Sequence, residues 1–201
     1  MAGWQRHEGE AVALPRADID TDQLIPARFM SASRAEGYGG FLFADLREDA
    51  ADFPLDRHPE ASVLVAGPNF GCGSSREAAV YALVDAGFRV VVAESFADIF
   101  AGNAVNNGLL PARVAEAGAI LDALGSGTAP ARIDLETATL EIAGARHAIE
   151  LPDIWRRKLV NGWDDIDLTR AHEDEIAAFA RARRDAAPWT WPARDGSRDR
   201  A

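Results

Sequence analysis

The hydrophobic pattern changes period along the chain, and each change predicts an element. Glu10 to Leu14 is a short apolar stretch closed by Pro15, which predicts a strand. The polar loop Asp18-Ile19-Asp20-Thr21-Asp22 separates it from the apolar run Leu24-Ile25-Pro26. Residues 30–60 are interrupted by Gly37, Gly39, Gly40, Pro54 and Pro59, so loop is predicted there, with at most a short helix around Phe41 to Leu46. From Ala61 the pattern is regular. Ser62-Val63-Leu64-Val65-Ala66 is apolar on both faces, as in a strand buried within a parallel sheet. A glycine-rich loop, Gly67 to Gly73, leads into a predicted helix over Ser75 to Ala86, with Ala79, Leu83 and Ala86 on one face and Gly87 as its stop. Arg89 to Ala93 is a second buried strand. Ser95 to about Asn106 is a second helix with Phe96, Ile99 and Phe100 inward, and Leu109 to Val114 is a third strand. Such a β-α-β-α-β run makes right-handed crossovers.

From Ala131 to Leu151 the apolar residues alternate (Ile133 and Leu135, Leu140 and Ile142, Ile149 and Leu151), which predicts antiparallel hairpins turning near Glu136-Thr137-Ala138 and Gly144-Ala145. Asp153 to Val160 is a short helix ending at Asn161-Gly162. Thr169 is placed to cap a last helix, acidic at its start (Glu173, Asp174, Glu175) and basic at its end (Arg181, Arg183, Arg184), an order that suits the helix dipole. Ile176, Phe179 and Ala180 form its predicted buried stripe. Pro188 to Ala201 is polar and broken by Pro and Gly; disorder is predicted there, leaving residues 1–187 as one domain.

Composition narrows the function. The chain has 201 residues, enough to bury a core, and a formal charge of −11, which argues against a nucleic-acid surface because phosphate neutralisation needs clustered Lys and Arg. A small acidic ligand stays compatible, since a local pocket can be positive on a negative protein. Cys72 is the single cysteine, so no internal disulfide forms, and one thiol is too few for a structural zinc or an iron–sulfur cluster. The chain begins without a charged-then-apolar leader pattern and has no apolar run of membrane-spanning length, which predicts a cytoplasmic protein.

The chemistry concentrates in Gly71 to Glu77, GCGSSRE, at a strand-to-helix turn. Backbone N–H groups at a helix start attract anions, glycines at 71 and 73 permit close approach, and Arg76 offers a planar fork suited to a carboxylate. The dinucleotide pattern G-x-G-x-x-G fails at Arg76, and the phosphate-loop ending G-K-[ST] and the hydrolase elbow G-x-S-x-G are absent. None of His7, His58, His147 or His172 stands in a context that marks a Ser–His pair. From the turn alone, a carboxylate or phosphate site and a plain serine helix cap are about equally supported.

The run GPNFGCGSSRE (Gly67 to Glu77), followed by SFADIF (Ser95 to Phe100) and NNGLLP (Asn106 to Pro111), resembles the small subunits of 3-isopropylmalate dehydratases, the separate-chain version of the swivelling last domain of aconitase. The likeness extends to DIDTDQLIPARF (Asp18 to Phe29), GYGGFLFADLR (Gly37 to Arg47) and WRRKLVNGWDDIDLT (Trp155 to Thr169), so it covers nearly the whole chain except the tail. It implies an α/β fold: a three-layer swivelling β/β/α domain with a mainly parallel sheet plus β hairpins. It also implies a hydro-lyase of leucine synthesis that converts 2-isopropylmalate to 3-isopropylmalate through an unsaturated intermediate, with one iron of a [4Fe-4S] cluster acting as a Lewis acid. By motif position Ser74 is implied as the base and Arg76 as the carboxylate clamp. Gly73, Ser75, Asp20, Thr21 and Asp22 line the substrate in this comparison, and Arg28 and Arg34 face its variable side group. Three cysteines hold the cluster in this family and only Cys72 is present here, so a large partner subunit must carry it in a heterodimer. Cys72 is expected to pack beneath the loop. Trp155 and Trp163 read as packing aromatics, whereas Trp189 and Trp191 are open to a partner contact.

One departure bears on the substrate. The family turn usually continues with His and then Ala-Pro-Trp; here Ala78-Ala79-Val80-Tyr81 follow Glu77. A paralogous dehydratase for citramalate, dimethylmalate or homocitrate therefore stays open, as does a non-catalytic carboxylate-binding module.

Overall fold

The computed structural model describes residues 2–50 and 52–191, with Arg34 described in its backbone alone. The chain divides after Asp164 into two compact units. The first is built on a seven-stranded sheet in the order β4-β3-β2-β1-β5-β6-β7. The strands are β1 (Arg6–Leu14), β2 (Val63–Ala66), β3 (Val90–Ala93), β4 (Leu110–Arg113), β5 (Thr128–Asp134), β6 (Thr139–Ile142) and β7 (Ala145–Ala148). Helices of this unit are α1 (Thr21–Leu24), α2 (Ala44–Asp49), α3 (Pro54–Arg57), α4 (Ala78–Asp85), α5 (Asp98–Asn106), α6 (Ala117–Leu124) and α7 (Asp153–Asn161).

β1 joins the two kinds of pairing. Its second half runs parallel to β2, with Ala11 opposite Val63 and Leu14 opposite Ala66. Its other edge runs antiparallel to β5, with Arg6 opposite Asp134 and Val12 opposite Thr128. The hairpins β5–β6–β7 thus extend the parallel strands as one continuous sheet. β1 begins four residues before the predicted start because its first half is polar on the open face, where Arg6 pairs with Asp134 and Glu8 with Arg132. A strand with one solvated face carries no continuous apolar run.

The parallel strands are covered on both faces, as their unbroken apolar sequences require. Leu64 and Ala66 of β2 point into one core with α1, α3, α4 and α5, whereas Val63 and Val65 point into a second with α6, α7 and the apolar side of β5 and β6. α6 has no counterpart among the predicted elements. Its sequence AGAILDAL is rich in small residues, and only Ala117, Ile120 and Leu124 mark its buried stripe before Gly125 ends it. Ile99 is not inward as predicted but 59% exposed, because Phe96 and Phe100 fill the space under α5.

The second unit contains α8 (Asp165–Arg170), α9 (Glu173–Ala186) and a 3-10 turn, Pro188–Thr190. Thr169 does not cap the last helix. It lies inside α8 and its hydroxyl donates back to the Asp165 carbonyl at 3.0 Å, leaving His172 at the start of α9. The predicted buried stripe of α9 is instead open: Ile176 is 46% and Phe179 71% exposed. Trp191 stacks under the Arg184 guanidinium, 4.8 Å from ring centroid to Cζ. Most of the predicted disordered tail, residues 192–201, lies outside the described residues.

The loops after β1, β2 and β3 meet at the carboxyl ends of these strands. Phe70 is fully buried there, edge-on to Phe96 and Phe100. It exchanges backbone bonds with the third loop, Phe70 N–H to Ser95 and Ala97 N–H to Phe70. Gly71 follows at φ +76°, and a Cβ on it would stand 2.1 Å from the Phe100 ring. Gly71→Ala combines a left-handed backbone with a side-chain clash, and should destabilise the fold by roughly 3 kcal/mol. Thermal or urea unfolding of the purified chain measures this, with Gly40→Ala, where a Cβ meets nothing within 4 Å, as the control.

Candidate functional site

The first and second loops are clasped residue by residue. Asp18 and Asn69 both adopt left-handed backbone, φ +55° and +60°, a region that Asn and Asp tolerate better than other side-chain-bearing residues. They face each other, Asn69 Nδ2 donating to Asp18 Oδ1 at 2.7 Å while Asp18 N–H donates to the Pro68 carbonyl at 2.9 Å. Gly71 N–H then donates to Ile19, and Thr21 N–H to Cys72, forming a short parallel bridge of Asp20 with Cys72. The polar loop at 18–22 is therefore the second wall of the turn.

Each residue of Asp20-Thr21-Asp22 has a separate task. Asp20 caps α1 in a reciprocal box: its carboxylate accepts from Gln23 N–H at 2.8 Å and Gln23 Oε1 accepts from Asp20 N–H at 3.0 Å. Thr21 is 1% exposed, and its Oγ1 accepts the backbone N–H of Ser74 at 3.1 Å. Asp22 meets the Arg76 guanidinium end-on, both carboxylate oxygens accepting from its two terminal nitrogens. The Arg76 hydrogen bond holds the Asp22 carboxyl below the usual aspartate range, and Asp22 in turn raises the guanidinium.

The turn itself is not the start of the helix. Ser74, Ser75 and Arg76 precede α4, which begins at Ala78, and neither serine caps it. Their backbones are drawn off elsewhere: Ser74 N–H to Thr21, and the Ser75 carbonyl to Asn103 Nδ2 of α5 at 3.4 Å. Asn107, one turn further along α5, donates to Glu77 Oε1 at 2.7 Å. Among the described residues the N–H groups of Ser75, Arg76 and Glu77 have no acceptor, and Gly73, Ser74 and Ser75 are exposed. The result is an open rim carrying one hydroxyl pair, three N–H groups without an acceptor among the described residues and one guanidinium, chemistry that suits a carboxylate. Asn103 and Asn107 carried no sequence signal for this role; their spacing of four on one helix face is visible only once α5 is set beside the turn.

Arg28 stands apart from this rim. It pairs with Asp45 and lies over the Phe29 ring, 4.5 Å from its centroid, and Phe29 stacks on Phe41 at 4.3 Å. Arg34 falls in a 3-10 turn, Arg34–Glu36, and its side chain lies outside the described residues. Cys72 is half-buried, and its thiol is pushed up, first by burial and then by the Asp20 and Asp18 carboxylates. One such thiol makes no ligand set, and among the described residues no group of three or more His, Cys, Asp or Glu converges to hold a metal. No described helix is long and apolar enough to cross a membrane.

Comparison with known proteins points one way. The chain matches the aconitase C-terminal domain family over residues 1–117. The 3-isopropylmalate dehydratase small subunit of Shouchella clausii is 44% identical over 184 residues, covering 87% of this chain and 93% of that protein. The protein of the same name from Rubrobacter xylanophilus is 44% identical over 181 residues, covering 88% and 92%. A solved structure, the 3-isopropylmalate dehydratase LeuD chain of Methanocaldococcus jannaschii, superposes with a TM-score of 0.68 at 30% identity, covering 86% of this chain and 98% of that one.

The Asp22–Arg76 contact has a direct readout. A carboxyl whose pKa is depressed in the folded chain contributes its pairing above the unfolded value and loses it as pH falls through the folded one. The Asp22 carboxyl carbon should therefore titrate below an ordinary aspartate by NMR, and move back up in Arg76→Gln.

Proposed function

Because the chain belongs to the aconitase C-terminal domain family, among the 3-isopropylmalate dehydratase small subunits, we propose that its exposed turn supplies the base and the carboxylate clamp of that hydro-lyase. The enzyme interconverts 2-isopropylmalate and 3-isopropylmalate in leucine synthesis by removing and restoring water, and the small subunit works with a large one. The observation that carries the residue assignment is the grouping of Ser74, Arg76 and three N–H groups without an acceptor among the described residues on one rim beyond the carboxyl ends of β1 and β2.

Ser74 removes the carbon-bound proton, and returns it when water adds in the opposite sense. A hydroxyl is a weak base, so its alkoxide needs stabilisation; the N–H groups of Ser75 and Arg76 and the guanidinium supply it once water is excluded. Arg76 holds a substrate carboxylate in the geometry Asp22 now occupies, and Gly73 lets the substrate approach the backbone. Asp20 and Thr21 act from behind the turn through Gln23 and Ser74. Arg28, which pairs with Asp45 away from the rim, and Arg34 are assigned to the substrate's side group from their motif alone.

The rim is open on one side, and this chain holds one cysteine. The small-subunit names of its relatives imply a large partner, which would close the site, and a [4Fe-4S] cluster held there would supply Lewis acid assistance to departure of the substrate hydroxyl. Assembly is in the cytoplasm.

Reconstitution with that large subunit tests the assignment. Ser74→Ala should lower kcat by 10³-fold or more with the complex intact, and near-normal turnover would sink it. Assays of isopropylmalate, citramalate and homocitrate on the same complex should rank isopropylmalate first.

A further inference from the structure

We propose that Thr21 is a positioning residue for Ser74, acting through its buried hydroxyl; this rests on Ser74 being the base. Three observations carry it. Gly71 and Gly73, at φ +76° and +92°, bracket the approach to Ser74 with backbone that resists no rotation of its own. Ser74 precedes α4, so no helical bond fixes it. The side-chain ties of residues 74–77 to their surroundings otherwise end on groups that keep contact with water: Asn103, Asn107 and Asp22. The bond from Ser74 N–H ends instead on Thr21 Oγ1, within a residue 1% exposed.

Thr21 is itself held rigidly. Its N–H donates to the Cys72 carbonyl at 2.9 Å, its carbonyl accepts from Ile25 N–H at 3.1 Å, and the capping box at Asp20 fixes the residue before it. The hydroxyl is thus a fixed point against which the segment that follows Gly73 is set. A proton-transferring group displaced by about 1 Å can lose on the order of a hundredfold in rate. Losing the anchor therefore acts on the chemical step more than on substrate capture, which belongs to Arg76.

Two substitutions separate this role from packing. Thr21→Val keeps the shape and removes the hydroxyl; Thr21→Ser keeps the hydroxyl and removes a buried methyl. In the complex with the large subunit, Thr21→Val should lower kcat about tenfold or more with KM within about threefold, and Thr21→Ser should restore most of kcat. A merely structural residue gives the opposite order, with Val the better tolerated. Normal kcat in Thr21→Val, an equal loss in both variants, or failure of Thr21→Val to assemble would each overturn the proposal. Ser74→Ala in the same assay keeps the two readings apart. If it is inactive while Thr21→Val is normal, only the positioning role fails; if it is active, the assignment of Ser74 fails first.

Discussion

Phe100 fills the space where a side chain on residue 71 would stand, and this exchange of a Cβ for an aromatic ring fixes the carboxyl edge of the sheet. It lets Phe70 dive between Phe96 and Phe100, which draws the loop after β2 down onto the loop after β3. Only then does Cys72 lie level with Asp20, and only then can Thr21 and Asp22 meet Ser74 and Arg76. The clasp is a consequence of hydrophobic packing beneath it. Its polar contacts choose a register that the aromatic cluster has already made possible.

That division of labour suits a site shared between chains. The buried side of the turn is finished in this subunit, with each backbone constraint answered by a residue of its own sequence. The outer side is unfinished, with exposed serines, unanswered N–H groups and Ile99 bare on the neighbouring helix. On the proposed reading, a base and a clamp would be pre-set here while the metal chemistry and the exclusion of water would come from a large subunit. Pre-setting matters because orientation paid in advance by folding is not charged again to the reaction.

The parallel core was legible because Val63 to Ala66 and Val90 to Ala93 are apolar on both faces, a pattern few other environments require. The first half of β1 was not, since its solvated face is covered by Arg6 and Glu8, residues equally at home in a loop. Ser75 misled for a physical reason: serine is a favoured cap, yet here Thr21 and Asn103 recruit the backbone on either side of it and delay α4 to Ala78. Ile176 and Phe179 have helical spacing, which fixes a stripe without saying what covers it. In the site, Ser74 and Arg76 stand out from their motif. Their links to Thr21 and Asp22 span more than fifty residues, and no local pattern encodes a bond between loops that only the sheet brings together.

Asp22 also occupies the guanidinium of the free chain. Tethered beside Arg76, its carboxylate is present at an effective concentration on the order of millimolar or above, whatever the solution contains. The pair is partly exposed and contributes about 1 kcal/mol at most, so it yields to a ligand that brings more than one contact. Chloride or acetate brings only one. On the proposed reading, a dicarboxylate would bring a second acid group and a hydroxyl, contacts that a simple ion lacks. The acid on this loop thereby weakens every anion at Arg76 by the same factor, and preference among ligands is left to the contacts each makes beyond the guanidinium.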